Sequence, residues 1–263
     1  TNGSIGALSG SGTTYTATFT PLTNGECSIR VLQEKYTDAA GNGNAATPQF
    51  TWTYDTIKPT MTITSTTSGV TDGSTTNHAN IALLFTSSEA TTDFGSDDIT
   101  VSGGTIGTLS GSGTTYSATF TPTAAGPTTI DVYGSKFTDV AGNNNLAATQ
   151  FNWTYDNVLP TMTITSTTSG VTDGSTTNDA SIALTFTSSK ETTDFIATDI
   201  GVINGSIGTL SGSGTRYTAI FTPTAAGPTT IDVAGSTFTD AVGNSNLAAT
   251  QFNWTYDNVA PTM

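Results

Sequence analysis

The chain of 263 residues is poor in the residue types on which most enzymes and most disulfide-stabilised domains depend. It contains one cysteine, Cys27, and one histidine, His78. A single cysteine excludes a disulfide framework within the chain, and a single histidine leaves no repeated Ser–His or Cys–His pair for nucleophilic catalysis. Zinc, which prefers His and Cys ligands, is disfavoured for the same reason. We therefore expect a protein that is not an enzyme.

Positive charge is also scarce. Six Lys and Arg residues stand against 20 Asp and Glu residues, which gives a formal net charge of −14. Without a basic patch to neutralise phosphates, a nucleic-acid partner is excluded. No apolar run approaches the ~20 residues that span a bilayer, so we expect no membrane insertion. The chain is instead rich in threonine, whose β-branched side chain suits the solvated face of an antiparallel sheet.

The strongest feature of the sequence is a long internal repeat. The segment Phe-x-Trp-Thr-Tyr-Asp-x-x-x-Pro-Thr-Met occurs three times, and its tryptophans, Trp52, Trp153 and Trp254, are spaced by 101 residues. A solenoid unit has roughly 20 to 50 residues, whereas one β-sandwich has about 100. In each copy the aromatic residues alternate with polar ones, which places them on one face of a strand, towards a core.

The repeat predicts tandem domains of the same kind. We expect the C-terminal half of a domain at residues 1–57, complete domains at 58–158 and 159–259, and the start of another at 260–263. Within 58–158, apolar alternation between turns predicts seven short strands, with the acidic segment 88–98 as a loop. The predicted fold class is all-β, with tandem immunoglobulin-like β-sandwich domains in an extended array.

Three motifs are similar to those of the bacterial Ig-like repeats of large surface adhesins and biofilm proteins. They are the Phe-Thr-Asp-x-x-Gly-Asn-x-Asn run at 137–145 and 238–246, the Asp-Ile-x-Val run at 98–101, and the Trp-Thr-Tyr-Asp-x-x-x-Pro linkers. The resemblance implies an extracellular or cell-surface location, a repetitive stalk, and often calcium at the domain junctions. The first half-repeat departs from the pattern at residues 26–35.

Acidic residues gather at one predicted pole of each complete domain. Because sandwich strands alternate in direction, the incoming linker and the loops after the second and sixth strands lie at the same end. Carboxylates this close repel one another, whereas a hard cation with about 6 to 8 oxygen ligands stabilises them. We therefore predict structural Ca²⁺; the alternative is solvated loop acids, with Asp139 and Asp240 making turns. The predicted ligands are Asp55, Glu89, Asp93, Asp98 and Asp139 in the first complete domain, and Asp156, Asp194, Asp199 and Asp240, with Glu191 beside them, in the second.

The leading functional prediction is a stalk or extender segment of a long extracellular adhesin or fibre, whose partners are the neighbouring repeats. One alternative is a filament subunit in which strands of a neighbouring copy complete the first half-repeat by strand addition. Another is the Ig-like module of a viral or phage fibre. An intramolecular Lys–Asn cross-link is disfavoured, because Lys58 and Lys136 align with Leu159 and Thr237 one period later.

Overall fold

The computed structural model describes residues 1–263 and consists almost entirely of strands and turns. Its only helices are two single 3₁₀ turns, Ser96–Asp98 and Ala197–Asp199. The residues form two compact units. One comprises Thr1–Asp72, Asn80–Thr121 and Thr129–Asn152, and the other comprises Gly73–Ala79, Pro122–Thr128 and Trp153–Met263.

The first half-repeat consists of three two-stranded sheets, in which β1 pairs with β4, β2 with β3, and β5 with β6. In the last pair Cys27 lies opposite Trp52 in antiparallel register. The six strands are β1 (Gly3–Ile5), β2 (Ser9–Ser11), β3 (Thr14–Thr16), β4 (Phe19–Pro21), β5 (Gly25–Ile29) and β6 (Phe50–Tyr54).

The second repeat contains eight strands in two four-stranded sheets. The strands are β7 (Met61–Ser65), β8 (Thr75–Thr76), β9 (Ile81–Thr91), β10 (Ile99–Ser102), β11 (Gly104–Ile106), β12 (Ser110–Pro122), β13 (Gly126–Val132) and β14 (Phe151–Tyr155). One sheet has the order β11-β12-β9-β7 and the other β10-β13-β14-β8. Strand β10 pairs with β13, and β9 pairs with β7 and β12, all antiparallel, whereas β8 pairs with β14 in parallel.

The third repeat has the same topology. Its strands are β15 (Met162–Ser166), β16 (Thr176–Thr177), β17 (Ile182–Thr192), β18 (Ile200–Ile203), β19 (Gly205–Ile207), β20 (Ser211–Pro223), β21 (Gly227–Val233) and β22 (Phe252–Tyr256). The sheets have the orders β15-β17-β20-β19 and β16-β22-β21-β18. The chain is therefore all-β, with tandem immunoglobulin-like β-sandwiches, as the sequence predicts.

Period-2 alternation places the core of each complete repeat. Along β17, Ile182, Leu184 and Phe186 are fully buried, and Tyr217 and Phe221 of β20 lie opposite Phe186 and Ile182. These side chains belong to one core cluster, which also includes Trp254 of β22. A slip of one residue in the register would move this apolar set to the solvent face, so the alternation fixes the pairing.

Two details of the second repeat differ from the sequence prediction. The polar segment between β7 and β9 contains an additional strand, β8, because the backbone amides of Thr154 and Asp156 donate to the carbonyls of Ser74 and Thr76. The predicted loop at 88–98 is also shorter, because β9 continues through Thr91 and so includes Glu89. No helix in the structure is long and apolar enough to cross a membrane.

Candidate metal centre

The end of β9 brings Glu89 to the loop that follows β13. Thr91, the last residue of β9, forms an isolated antiparallel bridge with Asp139 in that loop. Thr91 is buried, and its carbonyl accepts a hydrogen bond of 2.9 Å from the hydroxyl of Tyr116. The bridge fixes the backbone of one carboxylate-bearing segment against the other, and Glu89 lies two residues before it.

The loop that carries Asp139 is a tight turn built by the Phe-Thr-Asp-x-x-Gly-Asn-x-Asn motif. The Oδ1 atom of Asp139 accepts hydrogen bonds from the amides of Ala141 (2.8 Å) and Asn143 (2.9 Å). Gly142 has a φ of +91°, a conformation that costs glycine little and other residues more. The expectation that Asp139 makes a turn is met, and its Oδ2 atom also accepts from the Asn143 side chain at 2.9 Å.

The linker before β7 begins with a second turn of the same kind. Asp55 accepts a hydrogen bond of 2.9 Å from the amide of Ile57, which bends the chain directly after β6. The side-chain amide of Asn143 then donates to the carbonyl of Asp55 at 3.2 Å. In addition, the amide of Leu146 donates to the carbonyl of Pro59 at 2.9 Å. The linker is therefore held by the turn that positions Asp139.

These elements bring three carboxylates together. Potential ligand atoms of Asp55, Glu89 and Asp139 all lie within 4.8 Å of one another. Asp139 is buried, the other two side chains are half-buried, and an open pocket of about 490 Å³ adjoins them. No other group of three or more potential metal-ligating side chains occurs in the structure.

The surroundings shift the pKa values of two carboxyls of this trio in opposite directions. Burial raises the pKa of Glu89, and the neighbouring carboxylates of Asp139 and Asp55 raise it further. Burial alone would raise the pKa of Asp139, but hydrogen bonds from the side chain and the backbone of Asn143 outweigh burial and lower it. Without a cation, Glu89 therefore holds a proton more readily than Asp139 does.

The trio fits a hard divalent cation in its donor chemistry. All its side-chain donors are oxygens, the ligands that Ca²⁺ prefers. The Oε2 atom of Glu89 is buried and has no hydrogen-bond partner, so one acceptor is left unsatisfied at a cost that a ligand would remove. A bound cation would be held by Asp55, Glu89 and Asp139, and it would neutralise their mutual repulsion.

The corresponding place in the third repeat has a different composition. One period of 101 residues after Asp55, Glu89 and Asp139 stand Asp156, Lys190 and Asp240, respectively. The Lys190 ammonium lies 2.7 Å from Asp156 and 2.9 Å from Asp240. Burial would lower the pKa of Lys190, but the two carboxylates more than compensate and raise it, so the side chain is a cation at neutral pH.

Comparison with known families assigns all three repeats. The family described as the bacterial Ig-like domain matches residues 1–54, 55–155 and 156–256. The chain belongs to this family. No curated protein matches the chain.

Solved structures similar to these Ig-like repeats include several bacterial adhesins. An Escherichia coli adhesin, FdeC, is 13% identical, with a TM-score of 0.41 over 96% of this chain and 81% of its own. Invasin, a bacterial integrin-binding protein, is 14% identical, with a TM-score of 0.38 over 93% of this chain and 48% of its own. The C-terminal domain of Streptococcus agalactiae BspA is 9% identical, with a TM-score of 0.40 over 75% of this chain and 99% of its own.

The remaining predicted ligands of the Ig-like repeats lie outside the trio. Asp93 accepts hydrogen bonds from the hydroxyl of Thr91 (2.7 Å) and the amide of Thr138 (3.0 Å), so its carboxylate clamps the two loops together. Asp194 makes the same contacts with Thr192 (2.6 Å) and Thr239 (3.0 Å). In both cases hydrogen bonding outweighs burial and lowers the pKa of the carboxyl.

Asp98 and Asp199 have a local role in the structure. Each stands at the end of a 3₁₀ turn, and its Oδ2 atom accepts a hydrogen bond of 2.8 Å from the amide of Gly95 or Ile196, respectively. The structure therefore brings Asp55, Glu89 and Asp139 together, but it does not bring Asp98 or Asp93 into the trio. Metal binding by any of these residues stays a prediction.

The charged residue of this cluster that the sequence prediction missed is Lys190. The sequence prediction placed the acidic Glu191 in the second set, although the period of 101 residues aligns Glu89 with Lys190 and Ala90 with Glu191. Because side chains alternate along a strand, Glu191 points to the opposite face of β17 and is exposed. Applying the period strictly, residue by residue, would have found the exchange.

The raised pKa of Glu89 leads to a prediction for the cation-free protein. A protonated Glu89 contributes stability that is fully present below its ordinary pKa of 4.5 and is lost as pH rises through the raised pKa. Glu89→Gln keeps a neutral donor beside Asp139 at every pH. In chelator at pH 7 we expect the free energy of unfolding of this variant to exceed that of the unchanged protein by about 1 kcal/mol. Its melting temperature should be higher accordingly.

Thermal unfolding in chelator between pH 4.5 and 7.5 would measure this effect. We expect the advantage of Glu89→Gln over the unchanged protein to grow with pH. Glu191→Gln, at an exposed position, serves as the matched control and should show no such trend. An equal melting temperature for Glu89→Gln and the unchanged chain at pH 7 would contradict the prediction.

Proposed function

We propose that the chain is a stalk segment of a long extracellular adhesin or fibre, and that Ca²⁺ at the junction before the second repeat stiffens the linker. The observation that carries the proposal is the origin of the three carboxylates. Asp55 belongs to the linker, whereas Glu89 and Asp139 belong to the sandwich that follows it. One ion bound by all three would connect the linker to that sandwich.

The family assignment and the repeat support a mechanical role for the segment. Domains in series set reach, and the stiffness of their linkers sets how far the chain bends. Two hydrogen bonds already hold the linker against the following sandwich, from the Asn143 side chain to the carbonyl of Asp55 and from the Leu146 amide to the carbonyl of Pro59. A cation would add a third restraint at the carboxylates. The surface location of the protein belongs to the same proposal.

Small-angle X-ray scattering of the whole chain, with calcium and then with excess chelator, tests the stalk mechanism. We expect the maximum particle dimension to decrease on chelation, because a looser linker samples bent arrangements. Asp139→Asn, which keeps the turn but removes a negative ligand, should give the chelated profile in both conditions. Identical profiles of the unchanged chain with calcium and with chelator would refute calcium stiffening.

A further inference from the structure

The two junction sites of this chain have the same backbone hydrogen bonds but differ in one of their three charged side chains. Asp240 receives hydrogen bonds from the amides of Val242 (3.1 Å) and Asn244 (2.9 Å), as Asp139 does from its own turn. The Asn244 side chain donates to the carbonyl of Asp156 at 2.9 Å, in the way that Asn143 reaches Asp55. The hydrogen bonds of the turn and of the linker, and two of the three charged groups, are therefore the same.

The exchanged side chain occupies the point where the carboxylates meet. The Lys190 ammonium donates to Oδ1 and Oδ2 of Asp156, both at 2.7 Å, and to Oδ2 of Asp240 at 2.9 Å. A fourth contact, of 2.5 Å, runs to the carbonyl of Val158 in the linker. All four acceptors are oxygens, and they come from both the linker and the sandwich, so the ammonium has the connectivity of a bridging metal ion.

The net charge of the second site equals that of the first site with a divalent cation bound. Asp55, Glu89 and Asp139 carry a formal charge of −3 when ionised, which a divalent cation would bring to −1. Asp156, Lys190 and Asp240 already sum to −1. A divalent ion at the second site would have to displace or approach an ammonium, and the repulsion between like charges opposes both. The second site therefore has no electrostatic need for a metal.

We propose that Lys190 is a tethered cation that takes the place of the divalent ion at the junction before the third repeat, which makes that junction independent of calcium. As far as it concerns the first junction, the inference rests on the proposed function. The residue at this position of β9 or β17 then decides how a junction behaves. A glutamate gives a junction that an external cation tightens, and a lysine gives one that is always closed.

The turn that carries Asp240 also contacts the loop that follows β8. The side-chain amide of Asn77, two residues after Thr75, donates to Oδ1 of Asn244 at 3.4 Å, and Asn77 also lies near Gly243. Asn244 is thus held by Asp240, by the linker and by the preceding loop. This turn is fixed from several sides without any metal, as a permanently closed junction requires.

Reciprocal exchange of the two side chains tests the inference on the whole chain. The stoichiometry of Ca²⁺ binding would be measured by titration calorimetry on the unchanged chain, Glu89→Lys, Lys190→Glu and the double exchange. We expect one site in the unchanged chain, none in Glu89→Lys, two in Lys190→Glu, and one in the double exchange. Lys190→Gln, which removes the ammonium without adding a ligand charge, is the matched control and should bind like the unchanged chain.

Each outcome separates this inference from the proposed function. One site in the unchanged chain and still one in Lys190→Glu would overturn the tethered cation but not calcium at the first junction. No site in the unchanged chain but one in Lys190→Glu would uphold the tethered cation and refute calcium at the first junction. No site in either would overturn both. If Lys190→Glu unfolds in chelator, recovery of its near-UV circular dichroism on calcium addition reports the same site.

Discussion

Replacing Phe94 with alanine should lower the free energy of unfolding of the second repeat by about 3–5 kcal/mol. Phe94 is buried, and its ring centroid lies 5.1 Å from that of Tyr116 and 5.2 Å from that of Phe137, both in edge-to-face geometry. A third ring, that of Phe85, lies at 5.9 Å. Removal of the ring leaves a cavity between residues that come from three separate segments, so the site can collapse only in part.

Denaturation of the whole chain, with the third repeat as internal reference, would measure this loss. Phe195→Ala is the matched control, because Phe195 has the same ring contacts with Phe186, Tyr217 and Phe238 in the third repeat. It should shift the transition of the third repeat instead. A loss below about 1 kcal/mol for Phe94→Ala would contradict the role of this aromatic cluster.

The same aromatic cluster connects the core to the carboxylates. Phe137 is fully buried and lies two residues before Asp139, and Phe94 follows Asp93 directly. The rings therefore hold the bases of the two loops that meet at the Thr91–Asp139 bridge. This arrangement explains how the alternation of apolar residues within a sandwich also positions charged groups at its pole.

Replacing Lys190 with methionine should destabilise the third repeat by about 2–3 kcal/mol, with or without calcium. Removal of one partner from a buried ion pair costs about 3–5 kcal/mol, and partial exposure of Lys190 and Asp156 reduces that cost. Asp240 is buried, so it would keep a negative charge close to Asp156 with no counterion. Methionine preserves most of the packing of the lysine stem, so the loss reports the charge.

Thermal or denaturant unfolding at neutral pH would measure the effect of Lys190→Met. Lys136→Met, at an exposed position without an ion pair, is the control and should stay within about 0.5 kcal/mol of the unchanged chain. The contribution of Lys190 is lost as pH rises through its raised pKa, and that of Asp240 as pH falls through its lowered pKa. Equal stability of Lys190→Met and the unchanged chain between those limits would contradict the account.

Much of the fold follows from the sequence because strand alternation and the repeat are strong signals. Ile81, Leu83 and Phe85 are spaced by two residues and are all buried, whereas Ala82 is exposed and Leu84 is half-buried. The strand β8 could not be predicted in this way. It has two residues, Thr75 and Thr76, and it exists through backbone hydrogen bonds beside β14, which no side-chain pattern encodes.

The candidate site was predictable in part, from topology. Because sandwich strands alternate in direction, the sequence predicts that the linker lies beside two loops, and the structure brings Asp55, Glu89 and Asp139 together there. Topology does not set the direction of a side chain within a loop, so Asp93 could not be separated from the others. Its carboxylate turns towards Thr138 instead, because that backbone amide needs an acceptor.

We propose that an exchangeable cation closes the first junction and that a lysine closes the second. The most direct measurement is anomalous diffraction from crystals of the unchanged chain grown with a calcium-like lanthanide such as terbium. We expect one peak coordinated by Asp55, Glu89 and Asp139, and none between Asp156 and Asp240. A lanthanide bound beside Lys190, or no peak at the three carboxylates at saturating concentration, would contradict it.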